Sequence, residues 1–185
     1  AEDAESRMTA KHMVAILVVA PVISIAPASS VPAAPPAASN ASSPWAETEH
    51  GGVRLIAAVT GVGEDATLPL GLEFRMAPGW HIYWRSPGDA GYPPRAEWGG
   101  SRNLQSAELR WPAPHRFAVL DLQTIGYSDT VILPVEARLQ AAGEPVALRA
   151  TVDYLTCADI CVPYVAELAL DLPAGPAAAS AHAHD

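Results

Sequence analysis

The sequence predicts an all-β protein with the architecture of a β-sandwich, and three observations support this. Apolar and polar residues alternate with a period of two in several short runs, as they do in half-buried strands. Stretches rich in glycine and proline separate these runs, as turns and loops do. Between Trp45 and Pro173 no segment has the sustained repeat of an amphipathic helix. Several short strands joined by such turns are typical of a β-sandwich.

Five runs carry the alternation, and each predicts one strand. They cover residues 53–59, 67–76, 131–139, 146–154 and 166–172. Two of these runs contain a proline, Pro69 and Pro134. Because proline lacks the N–H that a sheet ladder needs, we expect an edge strand or a bulge at both positions.

The N-terminal residues differ from the rest in composition. A basic start and an apolar run from Met13 to Ile25 predict a signal peptide or N-terminal anchor over residues 1–28. The next segment, 29–49, is rich in Pro, Ala and Ser and predicts a linker. We expect the folded domain over residues 50–173 and a flexible tail over 174–185. Export from the cytosol permits a cysteine pair to be oxidised.

The charge of the chain excludes some partners. The formal net charge is −9, and there is no lysine between Trp45 and Pro173. A chain without a basic surface has little attraction for phosphate groups, so we expect neither nucleic acid nor anionic lipid as a partner.

No cluster of ligating side chains has a credible spacing, and we therefore predict no metal site and no cofactor.

The two cysteines, Cys157 and Cys161, are separated by three residues in YLTCADICVP. They lie between two predicted strands, so we expect a tight connection or a bulged hairpin end, with Pro163 interrupting regular pairing. A structural disulfide is the common fate of two cysteines in an exported domain. However, closing a loop of about five residues restrains the unfolded chain by only about 2 kcal/mol. The short spacing therefore favours a redox-active bridge, and both interpretations stay open on the residues alone.

The residues around the cysteines carry no positive charge. No Lys, Arg or His occurs from Ala150 to Asp171, and Asp159 lies between the two cysteines. Nothing nearby in the sequence stabilises a thiolate, provided that no cation comes from a distant loop. Such a pair suits electron exchange with an activated protein partner better than indiscriminate attack on disulfides.

Four motifs resemble, in order, those of the N-terminal periplasmic domain of the thiol:disulfide interchange protein DsbD. The likeness covers about residues 50–173 and is greatest to the variant found in suppressor of copper sensitivity protein B. The motifs are GWHIYWRSPGDAGYPPRAEW (79–98), LRWPAPHRF (109–117), IGYSDTVILPVEA (125–137) and YLTCADICVP (154–163).

The resemblance implies an immunoglobulin-like antiparallel β-sandwich in the periplasm that acts as a protein-disulfide reductase. Its cysteine pair would take electrons from a membrane-embedded electron-transfer domain by way of a thioredoxin-like donor. The acceptors would be periplasmic proteins of the thioredoxin fold, including disulfide isomerases and proteins of cytochrome c maturation or copper tolerance. Cys161 matches the cysteine that forms the mixed disulfide, and Cys157 matches the one that resolves it.

The sequence also departs from the family. DsbD has a longer insert between its cysteines and an aromatic cap loop over them, whereas AVLDLQTIGYSD has no aromatic at the matching place. Tyr127 and Phe117 are the candidate substitutes. The transmembrane and thioredoxin-like portions have no counterpart here, so we expect a fragment of a longer protein or a module with partners in trans.

The alternative function is an exported sandwich that binds copper or a protein ligand and has a purely structural disulfide. His182 and His184, together with Cys161 or Met76, are the candidate copper ligands. A disordered chain end is the simpler interpretation of the two histidines. The sequence offers several aromatic residues as candidates for a docking surface, although we expect them to pack in the core or loops. They are Trp80, Tyr83, Trp84, Tyr92, Trp98 and Trp111.

Overall fold

Eleven strands form the regular secondary structure of residues 41–119 and 121–184, the part of the chain that the computed structural model describes. There is no helix in that part. The strands are β1 (Ala46–Thr48), β2 (Gly51–Ala57), β3 (Thr67–Met76), β4 (His81–Gly88), β5 (Arg95–Glu97), β6 (Leu104–Leu109), β7 (His115–Val119), β8 (Leu122–Ser128), β9 (Thr130–Leu139), β10 (Val146–Cys157) and β11 (Cys161–Leu172).

The strands form two antiparallel sheets. The first sheet has the order β1-β2-β3-β9-β6. The second has the order β11-β10-β4-β8-β7, with β5 also paired to β10. Every pairing between named strands is antiparallel. The two sheets confirm the predicted β-sandwich.

The main core lies between the sheets and follows from the period of two. From Leu133 onward in β9 and from Ala166 onward in β11, every second residue is buried while its neighbours are exposed. Phe74 of the first sheet meets Tyr154 of the second edge-to-face, with ring centroids 5.2 Å apart. Burying each large apolar side chain stabilises the fold by about 1.5–3 kcal/mol. This apolar layer therefore holds the sandwich together without any contribution from the cysteines.

The two strand prolines lie in internal strands, so the prediction of edge strands or bulges at these positions is wrong. Pairing of β3 with β9 continues in register through Pro69 and Pro134. The carbonyl of Pro69 accepts from the N–H of Ala58, and that of Pro134 from Arg110, the first residues after β2 and β6. The N and C=O of one strand residue point to the same neighbouring strand. The nitrogen of Pro69 therefore faces the end of β2, and the nitrogen of Pro134 faces the end of β6, so each proline lies where the neighbouring strand has just ended.

The β10–β11 hairpin is longer and more regular than the sequence predicts. The two strands pair without interruption from Val146 opposite Leu172 to Cys157 opposite Cys161. Pro163 pairs opposite Leu155 and does not interrupt the ladder, which corrects the expectation made for it. Since β11 is at the edge of its sheet, a proline is tolerated there.

The segments on either side of the predicted domain contribute to the sandwich. Ser42 bridges to Ile56 of β2, and Ala41 is fully buried, so the fold begins within the predicted linker. Residues 174–184, the predicted tail, hydrogen-bond to the loop after β2, for example from Ser180 N–H to Ala58 O at 2.9 Å. The predicted signal peptide or anchor and residues 29–40 of the linker lie outside the described residues. Residues 41–119 and 121–184 include no helix that is long and apolar enough to span a bilayer.

Candidate active site

A disulfide joins Cys157 and Cys161 at the turn end of the β10–β11 hairpin. Cys157 is the last residue of β10, and Cys161 is the first residue of β11 and its direct partner in the register. The two Cα atoms are 4.1 Å apart, and residues 158–160 form the turn between them. The ladder of the hairpin thus brings the two sulfurs together, and the bridge spans neighbouring strands of one sheet.

The two cysteines differ in their access to solvent. Cys157 is 0% exposed, whereas Cys161 is an exposed residue. The difference arises because β11 is the edge strand, while β10 has β11 on one side and β4 and β5 on the other. Solvent therefore reaches Cys161 but not Cys157.

The bridge lies on the outer face of the second sheet, on the opposite side from the main core. In β10, Val152 and Tyr154 point into the core between the sheets. Leu155 and Cys157 point the other way and pack with Tyr83 of β4 in a second apolar cluster. We call this group, with the partly buried Tyr92, the redox cluster. The protein therefore keeps a small separate core around its buried sulfur.

Tyr83 is the aromatic residue that contacts the bridge. Its ring is 0% exposed, and its hydroxyl oxygen is 3.8 Å from Cys161 Sγ. Burial raises the pKa of the Tyr83 phenol, which therefore stays protonated at neutral pH. A protonated phenol beside the sulfur contributes a weak hydrogen-bonding group and no charge.

The loop after β4 covers the outer side of Tyr83. Gly91 has a φ of +89°, and a Cβ on it would lie 2.5 Å from Tyr83 Cε1, which only glycine avoids. Tyr92 donates its hydroxyl proton to Asp153 of β10 at 3.0 Å and so ties the loop to the hairpin. Burial and this hydrogen bond raise the pKa of Tyr92. The loop thus acts as the cover of the redox cluster.

His81 lies on the other side of the buried cysteine. It is the direct partner of Cys157 in the pairing of β4 with β10, and it is 5% exposed. Its ring stacks on Phe117 of β7, with centroids 4.8 Å apart, and meets Tyr83 edge-on at 5.3 Å. Burial lowers the pKa of His81, so its ring is neutral at neutral pH.

The hairpin has no ion pair beside the bridge. Among the described residues, the ion pairs lie on the first sheet or join Arg149 to Asp171 at the far end of β10 and β11. His81 is the titratable side chain that β4 places opposite Cys157, and its ring is neutral. Arg95 lies opposite Asp153 in the pairing of β5 with β10, and its charge acts on the hydroxyl of Tyr92. The structure therefore brings to the hairpin a histidine and an arginine that the sequence around the cysteines lacks.

The structure gives different positions to the two candidate cap residues. Tyr127 packs in the main core and donates its hydroxyl proton to Pro112 O at 2.9 Å, so it does not shield the bridge. The ring of Phe117 stacks on the ring of His81, and it is His81 that lies opposite Cys157 in the sheet. The aromatic residue against Cys161 is Tyr83, which the sequence offered as a candidate for a docking surface or, preferably, for packing, but not for contact with the bridge. The sequence holds no alternation that marks this strand, because Ile82, between His81 and Tyr83, is buried in the main core.

The other candidate ligands do not form a site. In the part of the chain that the structure describes, no three His, Cys, Asp or Glu side chains are grouped so that they could hold a metal ion.

A cleft of about 580 Å³ opens on the first sheet, and its lining includes Val59, Leu70, Val135 and Ala177. None of its lining residues belongs to the redox cluster or to the bridge.

Comparison with known proteins gives a family match and similar structures. The family described as "Thiol:disulfide interchange protein DsbD, N-terminal" matches residues 56–173. The crystal structure of the N-terminal periplasmic domain of ScsB from Proteus mirabilis is 32% identical, with a TM-score of 0.61 over 74% of this chain and 54% of that one. The reduced DsbD N-terminal domain of Neisseria meningitidis is 18% identical, with a TM-score of 0.39 over 65% of this chain and 83% of that one. No curated protein matches the sequence.

The family match covers almost the whole sandwich, from β2 to the end of β11, and includes both cysteines. The chain spans about half the length of the ScsB domain to which it is similar. The predicted resemblance is thereby confirmed, and so is the immunoglobulin-like fold class. The chain belongs to the family of the N-terminal domain of the thiol:disulfide interchange protein DsbD.

Proposed function

We propose that this domain is a periplasmic electron relay that works by thiol–disulfide exchange. It takes two electrons from a thioredoxin-like donor, itself supplied by a membrane electron-transfer domain in the same or another chain. It passes them to oxidised thioredoxin-fold acceptors in disulfide reduction, cytochrome c maturation or copper tolerance. The observation that carries the proposal is the bridge itself, which has one exposed and one buried sulfur and lies outside the main core.

The exposure of the sulfurs supports a defined order of steps. A donor thiolate attacks Cys161 Sγ, the Cys157–Cys161 bond breaks, and Cys157 leaves with the electron pair. The second donor thiol, as a thiolate, then attacks the donor sulfur of the mixed disulfide and releases Cys161. The donor becomes a disulfide, and its two electrons and two protons remain on the two cysteines of the domain. Delivery to an acceptor disulfide repeats these steps in the opposite direction.

The surroundings of Cys161 support a protein partner. Ile160 and Val165, on either side of the exposed sulfur along the hairpin, are 64% and 67% exposed. Apolar side chains exposed beside a reactive group are typical of a docking surface. The sandwich thus holds the sulfur in place, and the partner contributes the thiol of low pKa.

Single-cysteine variants test the assignment. The partner is oxidised thioredoxin, and each variant is first reduced with dithiothreitol and then desalted. We expect Cys157→Ser to form a mixed disulfide through Cys161 but to yield no reduced thioredoxin, because the domain has no second thiol to complete the exchange, and Cys161→Ser to form essentially none. A Cys161→Ser variant that reduced thioredoxin at the wild-type rate would contradict the proposal.

A redox titration separates the relay from the alternative binding function. The full chain is equilibrated in dithiothreitol buffers of graded potential, and free thiols and circular dichroism are measured together. We expect both thiols to appear while the β-sheet spectrum is unchanged. A bridge that opens only when the protein unfolds would indicate a structural disulfide and favour the binding module.

A further inference from the structure

His81 has a ring nitrogen without a partner beside the buried cysteine. Its Nε2 atom is buried and makes no hydrogen bond within the described residues. Buried polar atoms in native proteins are nearly always satisfied, so an exception at a candidate redox site requires an explanation. The ring cannot turn easily toward water, because it is held between Phe117 and Tyr83.

The register of the sheet places this ring next to Cys157. His81 and Cys157 are direct partners across β4 and β10. Side chains in such pairs lie on the same face, and their Cβ atoms are about 4.5–5.5 Å apart. This is the face of the redox cluster, where Cys157 also meets Tyr83 and Leu155.

The chemistry of Cys157 changes when the bridge is reduced. In the disulfide its sulfur is a weak acceptor, whereas the thiolate that leaves during reduction is a strong acceptor without access to water. A neutral imidazole carries one N–H donor. The opening of the bridge is therefore the step in which the nitrogen of His81 gains a strong acceptor.

We propose that His81 is a positioning residue that donates a hydrogen bond from Nε2–H to the sulfur of Cys157 as the bridge opens. This inference rests on the proposed relay function. The hydrogen bond favours the departure of Cys157 and stabilises the reduced pair. The donor dithiol supplies both electrons and both protons, so His81 itself is unchanged after each cycle. Phe117 acts through His81, since the stacking fixes the plane of the ring.

The proposal is tested with His81→Phe, which keeps an aromatic ring for the stacking but removes both nitrogens. His115→Phe is the matched control, because His115 is an exposed histidine on β7 of the same sheet. The equilibrium of each full-length protein with dithiothreitol and its rate of reduction are measured. We expect His81→Phe to shift the equilibrium toward the disulfide and to slow reduction, each by about three- to tenfold, the range for one hydrogen bond. His115→Phe should stay within about twofold of the wild type.

A purely structural role of His81 predicts a different result. In that case His81→Phe changes the melting temperature but leaves the equilibrium with dithiothreitol at the wild-type value, and this outcome overturns the inference. If the variant does not fold, the wild-type protein still provides a test through the ¹⁵N resonances of its histidine rings. We expect the Nε2 resonance of His81 to move on reduction while those of His115 do not, and an unmoved His81 resonance would refute the hydrogen bond.

The two proposals fail in distinguishable ways. If the wild-type bridge cannot be reduced in the folded protein, the relay function fails, and the role of His81 fails with it. If the wild type exchanges with thioredoxin and His81→Phe matches it in equilibrium and rate, only the role of His81 is refuted.

Discussion

At the scale of single residues, the access of a partner to the bridge depends on side chains from distant parts of the chain. Tyr83 and Cys161 are 78 residues apart in the sequence, and their contact is made only when β4 and the β10–β11 hairpin join the same sheet. Gly91 then permits the loop to lie on the Tyr83 ring. The exposure of one sulfur and the protection of the other are thus determined by three elements together.

The close approach of Gly91 to Tyr83 leads to a first prediction. Gly91→Ala introduces both a strained positive φ and a clash with the ring, so we expect a loss of about 2–4 kcal/mol in the free energy of unfolding. Gly100→Ala is the control, because it has a similar φ of +84° and nothing within 4 Å of its Cβ. We expect it to lose only about 1 kcal/mol. Urea unfolding monitored by fluorescence measures both, and equal losses would show that the loop does not press on Tyr83.

The same substitution is expected to change access to the bridge. If the loop is the cover of the redox cluster, Gly91→Ala should speed the reduction by tris(2-carboxyethyl)phosphine under native conditions, while Gly100→Ala should not. A Gly91→Ala rate equal to that of the wild type would contradict this role of the loop.

At the scale of elements, the edge position of β11 determines which surface a partner meets. Cys161, Ile160 and Val165 are all exposed at this edge of the second sheet. An exposed edge with apolar groups invites association, and under the proposed function the protein that associates here reacts with the exposed cysteine. The surface and the reactive atom therefore belong to the same short stretch of the chain.

A double variant tests this surface. We expect Ile160→Ser with Val165→Ser to slow electron exchange with thioredoxin by about tenfold, since about 1.4 kcal/mol of apolar contact is lost from the encounter. Reduction by dithiothreitol, which needs no docking surface, should change by less than about twofold. Leu122→Ser is the control, because Leu122 is 43% exposed on β8, three strands from β11. If the control slowed exchange with thioredoxin equally, the effect would not belong to the β11 edge.

The sequence predicts some strands better than others, for a physical reason. The prediction for residues 67–76 coincides with β3, because one face of that strand is buried and the other is largely exposed. The sequence pattern did not reveal β4, since Ile82 faces the main core while His81 and Tyr83 face the redox cluster. A strand covered on both faces has no alternation to detect.

The site is likewise only partly predictable. The spacing of the cysteines and the motifs around them identify the pair as the candidate site. Tyr83 and His81 were not identified as site residues, because their roles depend on which strands pair with β10, and this is determined by long-range packing. The positions of Pro69 and Pro134 could not be predicted for the same reason. An internal strand accepts a proline only where the neighbouring strand ends, and long-range packing determines that point.

At the scale of the whole molecule, the main core and the bridge are separate sources of stability. The main core is formed by both sheets, whereas the disulfide closes a turn at the end of one hairpin. In the chain-entropy description, a loop of about five residues contributes about 2 kcal/mol. A single domain of this size commonly has a stability of about 5–15 kcal/mol.

The separation of the main core from the bridge predicts that the reduced protein stays folded. We expect reduction, or the double substitution Cys157→Ala with Cys161→Ala, to lower the free energy of unfolding by about 2–3 kcal/mol, with the protein still folded at 25 °C. Urea titrations of the oxidised, reduced and doubly substituted chains, each followed by far-ultraviolet circular dichroism, measure the difference. Loss of the β-sheet spectrum on reduction at 25 °C would be incompatible with a relay that cycles while folded.

The position of the redox cluster on the outer face of the second sheet has a further consequence. Along β10, neighbouring residues serve different purposes: Val152 and Tyr154 hold the two sheets together, while Leu155 and Cys157 surround the sulfur. Substitutions at exposed positions of the outer face can therefore alter the surface around Cys161 without reaching the apolar layer between the sheets. The fold and the surroundings of the sulfur can in this way change separately, except where the outer face is itself packed, as at Gly91.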